Sequence, residues 1–243
     1  ALYGVFLIGV VKFVLPEPAQ SSFSGQQDGL ITRWRRVLSF APGRFLIIAN
    51  GFSFAAIFAF ITDSDFLYLE FYDVGDKLFP IYFGANVVAM LFFNRLNVRL
   101  LRRYEAPAIM AVGVVALWVT AVMLMLQFLF WSKPSLWTVL PTIMLLGGLV
   151  ALVMPNGIAS LLQLYPRDAG TASGLNGSGQ FLISGLLGVT LVSHHDGTPL
   201  PMAAAMVVAA SLAGYGRLRA GRDHDLNQVA PSQMIPDQIL EQR

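Results

Sequence analysis

"NRLNVRLLRRY", residues 94–104, places four arginines in eleven residues. The flanks are almost purely apolar: "FPIYFGANVVAMLFF" (79–93) precedes it, and "APAIMAVGVVALWVTAVMLMLQFLF" (106–130) follows after one intervening residue. A compact positive cluster between two runs of that length is what the edge of a bilayer demands. The apolar runs fill the hydrocarbon, and the arginines hold the connection on one side. The downstream run does not alternate polar and apolar residues, so helices are predicted and a membrane β-barrel is not.

The rest of the chain agrees with this reading. Of its 243 residues, 56% are hydrophobic and only 12% are charged, about half the share usual in a soluble domain. Mean hydropathy is +0.63. A net charge of +2 gives no strongly basic face for nucleic acid. The absence of cysteine excludes disulfides and thiolate chemistry in this chain. Six spans are predicted: Arg44–Thr62, Leu78–Phe93, Ala106–Phe130, Leu136–Leu164, Ala169–Ser193 and Pro199–Tyr215. Residues 1–15 are expected to be the end of an earlier membrane helix. Residues 16–43 read as a linker ending in an interfacial helix that carries Leu30, Trp34, Val37 and Ala41 at helical spacing. The six-helix bundle is expected over 44–220, and residues 221–243 read as a polar, disordered tail.

The basic residues then set a topology. Fourteen of the sixteen fall before or at the start of the first span, in every second connection or after the last span, leaving only Lys77 and Lys133 for the others. By the positive-inside rule the arginine-bearing side, with the C-terminus, is cytoplasmic. The stretch "DSDFLYLEFYDVGDK" (63–77) is expected as an outward-facing acidic loop. Trp131 and Trp137 flank a connection and read as interface anchors. No soluble catalytic domain fits this plan. The one titratable trio, His194, His195 and Asp196, lacks metal-ligand spacing, so neither an enzyme nor a cofactor is expected.

Six helices after a cytoplasmic linker have a precedent in transporters built from two six-helix halves, with substrate at the midplane between them. Three stretches sharpen this. "FLYLEFYDVGDKLFPIYFGAN" (66–86), "NRLNVRLLRRY" (94–104) and "MPNGIASLLQLYPRDAGTASGLNGSGQFL" (154–182) resemble corresponding segments of the bicyclomycin-resistance (Bcr/CflA) type of multidrug efflux transporter in the major facilitator superfamily. Asp73, Asp76, Asn176 and Ser178 make this chain more polar there than that pattern. The resemblance implies an all-α fold, the second half of such a transporter in a bacterial inner membrane. It implies proton-driven export of small apolar drugs, with an N-terminal six-helix half as partner. It also implies a gating role for the loop arginines Arg95, Arg99, Arg102 and Arg103. The centres of the spans carry no charge, so a proton-coupling residue is expected in the other half. An importer of another solute, or a membrane receptor or scaffold, is the alternative.

An apolar substrate needs a mostly apolar cavity with a few placed polar groups. The candidates are Asn50, Phe54 and Phe58 on the first span, Tyr82 and Asn86 on the second, Asn156 beside Pro155 on the fourth, and Asn176 and Gln180 on the fifth. Ser173, Gly177, Gln180 and Ser184 form one stripe. Gly170, Gly174, Gly177 and Gly185 are expected to serve helix packing.

Overall fold

The structure is a computed structural model that describes residues 29–194 and 196–226, with side chains through Gly221. The readings of residues 1–28 and 227–243 lie outside the described residues. Among the described residues all regular structure is helical: α1 (Leu30–Ser39), α2 (Ala41–Asp65), α3 (Phe79–Leu100), α4 (Ala106–Phe130), α5 (Leu136–Leu164), α6 (Ala169–Ser193) and α7 (Leu200–Leu226). From α2 onward each is long and apolar enough to cross a bilayer.

Local chemistry places the helix starts. Proline occupies the first turn of α2, α3 and α4, where no intrahelical N–H is lost. At the start of α5 the Ser135 hydroxyl accepts from the Trp137 N–H at 3.3 Å. Before α7, Asp196 Oδ1 accepts from the Thr198 N–H at 2.9 Å, closing the turn.

The interfacial helix ends at Ser39, so Ala41, expected on it, opens α2 instead, where Pro42 suits a helix start. Three further boundaries differ from the sequence reading. The segment 63–77 is a loop only in its second part. A π-helical turn, Phe66–Phe71, carries α2 onward, so the first span runs Ala41–Phe71. Its acidic residues suggested a loop, but Asp65 and Glu70 sit on the exposed side while Asp63, Leu67 and Tyr68 are buried. The connection proper begins at Tyr72, and its turn uses Asp73 and Gly75 at positive φ. Likewise α3 reaches Leu100, placing Arg95 and Arg99 on helix rather than in a loop. Buried Asn97 draws that last turn against α5. Finally, α7 runs to Leu226, so residues 221–226 are helical rather than tail.

Contacts define two ends. At the arginine-rich end, Tyr165 Oη donates to the Val37 carbonyl at 3.0 Å, and Arg36 pairs with buried Asp168 at 2.9 Å, tying α1 to the α5–α6 connection. Arg217 Nη2 donates to the Pro107 carbonyl at 3.0 Å. At the acidic end, Tyr72 Oη donates to the Pro134 carbonyl at 2.8 Å. Burial, then its neighbour Tyr68, pushes the Tyr72 phenol above its ordinary pKa, so it remains a donor. The Tyr165 phenol is likewise raised, by burial and then by Asp168.

Helix α2 is the centre. It packs on α7, α6 and α5, while α4 packs on α5 and α7. One apolar cluster, including Phe60, Tyr68, Leu124, Ile143 and Met206, fills the acidic half. A second, with Val37, Leu46, Met110, Leu161 and Tyr165, fills the arginine-rich half. Helix α3 touches mainly α5 and leaves most of its surface open.

The glycines that permit this packing are not those expected. A Cβ on Gly170, Gly174, Gly177 or Gly185 would meet nothing within 4 Å, so this stripe faces open space rather than a neighbouring helix of this chain. Close approach is made instead by Gly216, whose Cβ would lie 3.0 Å from α2 backbone atoms, and by Gly157, whose Cβ would overlap the Asn50 side chain. Gly157→Ala is therefore expected to lower stability by about 1–3 kcal/mol through overpacking. A detergent melting curve of the full-length protein checks this, and an unchanged midpoint would contradict the close α2–α5 contact.

Candidate functional site

Among the polar side chains within the spans, two asparagine-centred groups and one open wall lie toward α5 and α6. In the first group, Asn50 on α2 donates through Nδ2 to Asn176 Oδ1 on α6 at 2.9 Å. Both are buried, at 0% and 2% exposure. In the second, Asn156 Nδ2 reaches Asn97 Oδ1 at 2.6 Å and the Leu152 carbonyl at 2.7 Å, joining α5 to α3. Pro155 removes one helical donor and leaves the Ala151 carbonyl without its usual partner, so this turn of α5 is held in part by side chains. Ser160 Oγ donates to the Asn156 carbonyl at 2.7 Å. Each bond stands where an unpaired amide in hydrocarbon would be costly.

The open wall lies beside these groups. A cavity of about 270 Å³ between α5 and α6 is lined by Met154, Pro155 and Ile158 from one helix and by Ser173, Asn176, Gly177 and Gln180 from the other. Of the expected stripe, Ser173 is exposed and Gln180 half-buried, but Ser184 is fully buried against the bundle. Asn176 thus has two roles. It bonds Asn50 inward and borders the cavity outward. Gln180 makes no hydrogen bond among the described residues, which leaves its amide available at the cavity wall.

Aromatic rings extend the wall along α2. Phe54 and Phe58 lie 5.9 Å apart, and Phe54 meets the exposed Phe181 of α6 edge-on at 5.5 Å. Tyr82 and Asn86 sit elsewhere, on the acidic half of α3. Tyr82 stacks on Tyr68 at 6.1 Å, and Phe60, Phe79 and Phe83 surround that pair. Asn86 donates to carbonyls of its own helix, while its Oδ1 and the Tyr68 hydroxyl are buried without a hydrogen-bond partner among the described residues. The structure therefore does not bring Tyr82 and Asn86 to the α5–α6 cavity.

The four arginines are all exposed on the end of α3 and the turn after it. None makes an ion pair among the described residues. Sequence reasoning missed Asn97, because it lies within the arginine cluster that suggested a loop. It also missed Phe181 and the α5 residues Met154 and Ile158, which carry no polar signal. The Arg36–Asp168 pair was missed for a different reason: the two residues are 132 positions apart.

This arrangement defines a class: a multi-pass helical membrane protein whose buried amides fasten its helices and whose α6 presents a polar face outward. The chain belongs to the Major Facilitator Superfamily, whose match covers residues 1–189. It is 26% identical over 226 residues to the bicyclomycin resistance protein homolog of Haemophilus influenzae, covering 88% of this chain and 55% of that protein. It is also 26% identical over 170 residues to an uncharacterized MFS-type transporter, YdgK, of Bacillus subtilis, covering 68% of this chain and 41% of that one. The chain thus spans about half the length of the curated relatives it matches. The superfamily consists of membrane transporters, not enzymes.

The Asn50–Asn176 bond has a measurable weight. In a double-mutant cycle of Asn50→Leu and Asn176→Leu, a coupling of about 0.6 kcal/mol is expected, with a ceiling of about 1.7. Reversible unfolding of the full-length protein in mixed micelles reads it. Strictly additive losses would contradict a direct bond.

Proposed function

We propose that this chain is the second half of a proton-driven exporter of small, mostly apolar drugs, working by alternating access with an N-terminal six-helix half. The observation that carries this reading is the α5–α6 cavity. It is small and largely apolar, and it presents an amide at Gln180 and a hydroxyl at Ser173. Such a wall suits a drug-like ligand with few polar groups. An anionic solute would call for a cation, and no Lys or Arg lines this cavity. Similarity to the bicyclomycin resistance protein homolog supports efflux as the direction.

In this reading Gln180, Asn176 and the Phe54–Phe58–Phe181 rings border the drug path. Asn50 and Asn156 act one layer behind, holding α6 and α5 in position, and Tyr82 with Asn86 borders the path nearer the acidic end. The exposed guanidinium groups of Arg95, Arg99, Arg102 and Arg103 contact the other half and helix ends when the cytoplasmic side closes. Arg95 and Arg99, four residues apart on α3, share a face suited to that contact. Proton coupling resides in the other half.

Gln180→Leu removes the amide at similar size. It is expected to shift the drug profile, with the more polar substrates losing most, while the melting midpoint holds. Efflux assays with several drugs beside a melting curve check this. A uniform loss with a lowered midpoint would instead make Gln180 interhelical glue. For orientation, the arginine-rich end is cytoplasmic. Reporter fusions after Gly75 and after Leu226 are expected to report opposite sides, the second cytoplasmic. The same side for both would overturn the six-span topology.

A further inference from the structure

Helices α4 and α7 leave a groove of about 520 Å³ on the outer surface of the bundle. Its walls include Val115 and Trp118 of α4 and Leu218 of α7, and Ala210 and Gly214 add small residues on the α7 side. Val115 and Leu218 are exposed, at 63% and 68%, as a lipid-facing rim requires. The Trp118 indole N–H donates to Ser211 Oγ at 2.9 Å and so is satisfied within the protein.

Arg217 also lines this groove, toward the arginine-rich end of α7. Its Nη2 is taken by the Pro107 carbonyl, but its Nε is buried and has no acceptor among the described residues. No carboxylate pairs with it among those residues, although Glu105 lies at the same end of α4. The small Gly221 lets the guanidinium lie across the helix, with Nη1 3.2 Å from where a Cβ would sit. Two more guanidinium groups, Arg44 and Arg219, stand over the Phe45 ring at 5.3 and 5.5 Å on the α2 side of α7. Another surface groove of similar size, about 470 Å³ along α3, α4 and α5, has no charged residue in its lining. Arg217 distinguishes the α4–α7 groove from that one, and it also borders a cavity of about 330 Å³ beside Pro107 and Gln163.

The buried Nε is out of reach of a lipid, but Nη1 makes no hydrogen bond among the described residues and is not buried, so the half-buried guanidinium keeps one arm of its planar fork open for a phosphate oxygen. At the edge of a bilayer, phosphate oxygens lie at that depth and acyl chains lie directly below. Basic pockets between membrane helices on the cytoplasmic side take anionic headgroups on this principle. We propose that the α4–α7 groove binds one anionic glycerophospholipid. Its phosphate sits on Arg217, Arg219 and Arg44 add positive potential, and one acyl chain runs along Gly214 and Ala210 toward Trp118.

The test is native mass spectrometry of the full-length protein titrated with phosphatidylglycerol and, separately, with phosphatidylcholine. Phosphatidylglycerol is expected to be retained more strongly. Arg217→Gln is expected to weaken its binding about fivefold, the factor set by one basic residue at a lipid surface. Ala111→Trp, which narrows the groove beside Arg217 without touching the charge, is expected to weaken it too. Should Arg217→Gln fail to fold, Arg217→Lys keeps the charge but loses the fork, and a smaller loss is expected. Equal retention of the two lipids would overturn the proposal. So would unchanged phosphatidylglycerol binding in the Arg217 variant, or in Ala111→Trp.

Discussion

Asn50 lies without solvent exposure where α2, α5 and α6 meet, and its carboxamide sets the spacing of all three. Its amide donates to Asn176 on α6, and Gly157 on α5 leaves room for it. Within a bilayer the apolar surfaces of helices gain little by leaving lipid, so packing shape and a few hydrogen bonds decide which helices meet. Here one residue supplies both. The Asn156–Asn97 bond repeats the device between α5 and α3. The turn of α5 after Pro155 is thereby held from two sides.

That fastening has a consequence for the opposite side of α6. With Asn176 turned inward, Ser173 and Gly177 turn outward and Gln180 stands at the edge of the cavity. The glycines at 170, 174, 177 and 185 meet nothing in this chain. Helix α6 is thus held by one strip and free on the other, as a helix bordering a substrate path or a second half must be. Helix α3 is similarly open, held to α5 through Asn97 and the Phe93–Gly148 contact. Its end presents the arginines. The faces left open here are those that the proposed function uses.

Much of the fold was legible because bilayer thickness sets helix length and arginines mark helix ends. The apolar runs located all six membrane helices, and three of them, Ala106–Phe130, Leu136–Leu164 and Ala169–Ser193, match to the residue. The reading failed where charge and helix coexist. Asp63, Asp65 and Glu70 suggested a loop, yet Leu67 and Tyr68 bury their side of the helix and carry it on. Arg95 and Arg99 suggested a loop, yet Asn97 between them is a buried contact. For the site, residue type revealed which amides lie within the membrane helices but not which find partners. Asn156 and Gln180 look equivalent in sequence. They differ because Asn97 comes within reach of one, and no described residue within hydrogen-bonding reach of the other. That difference is set by α3, which no spacing rule on α5 or α6 can see.

The division between fastening amides and an open α6 wall is tested most directly by single cysteines, introduced in a full-length background without other cysteines, at Ser173, Gln180 and Asn156. A charged, membrane-impermeant maleimide reports which positions meet water. Ser173→Cys and Gln180→Cys are predicted to react, with Gln180→Cys slowed by a transported drug, while Asn156→Cys stays unreactive. Cysteines at 173 and 180 as inert as that at 156 would place the α6 wall against lipid or another helix and contradict the account.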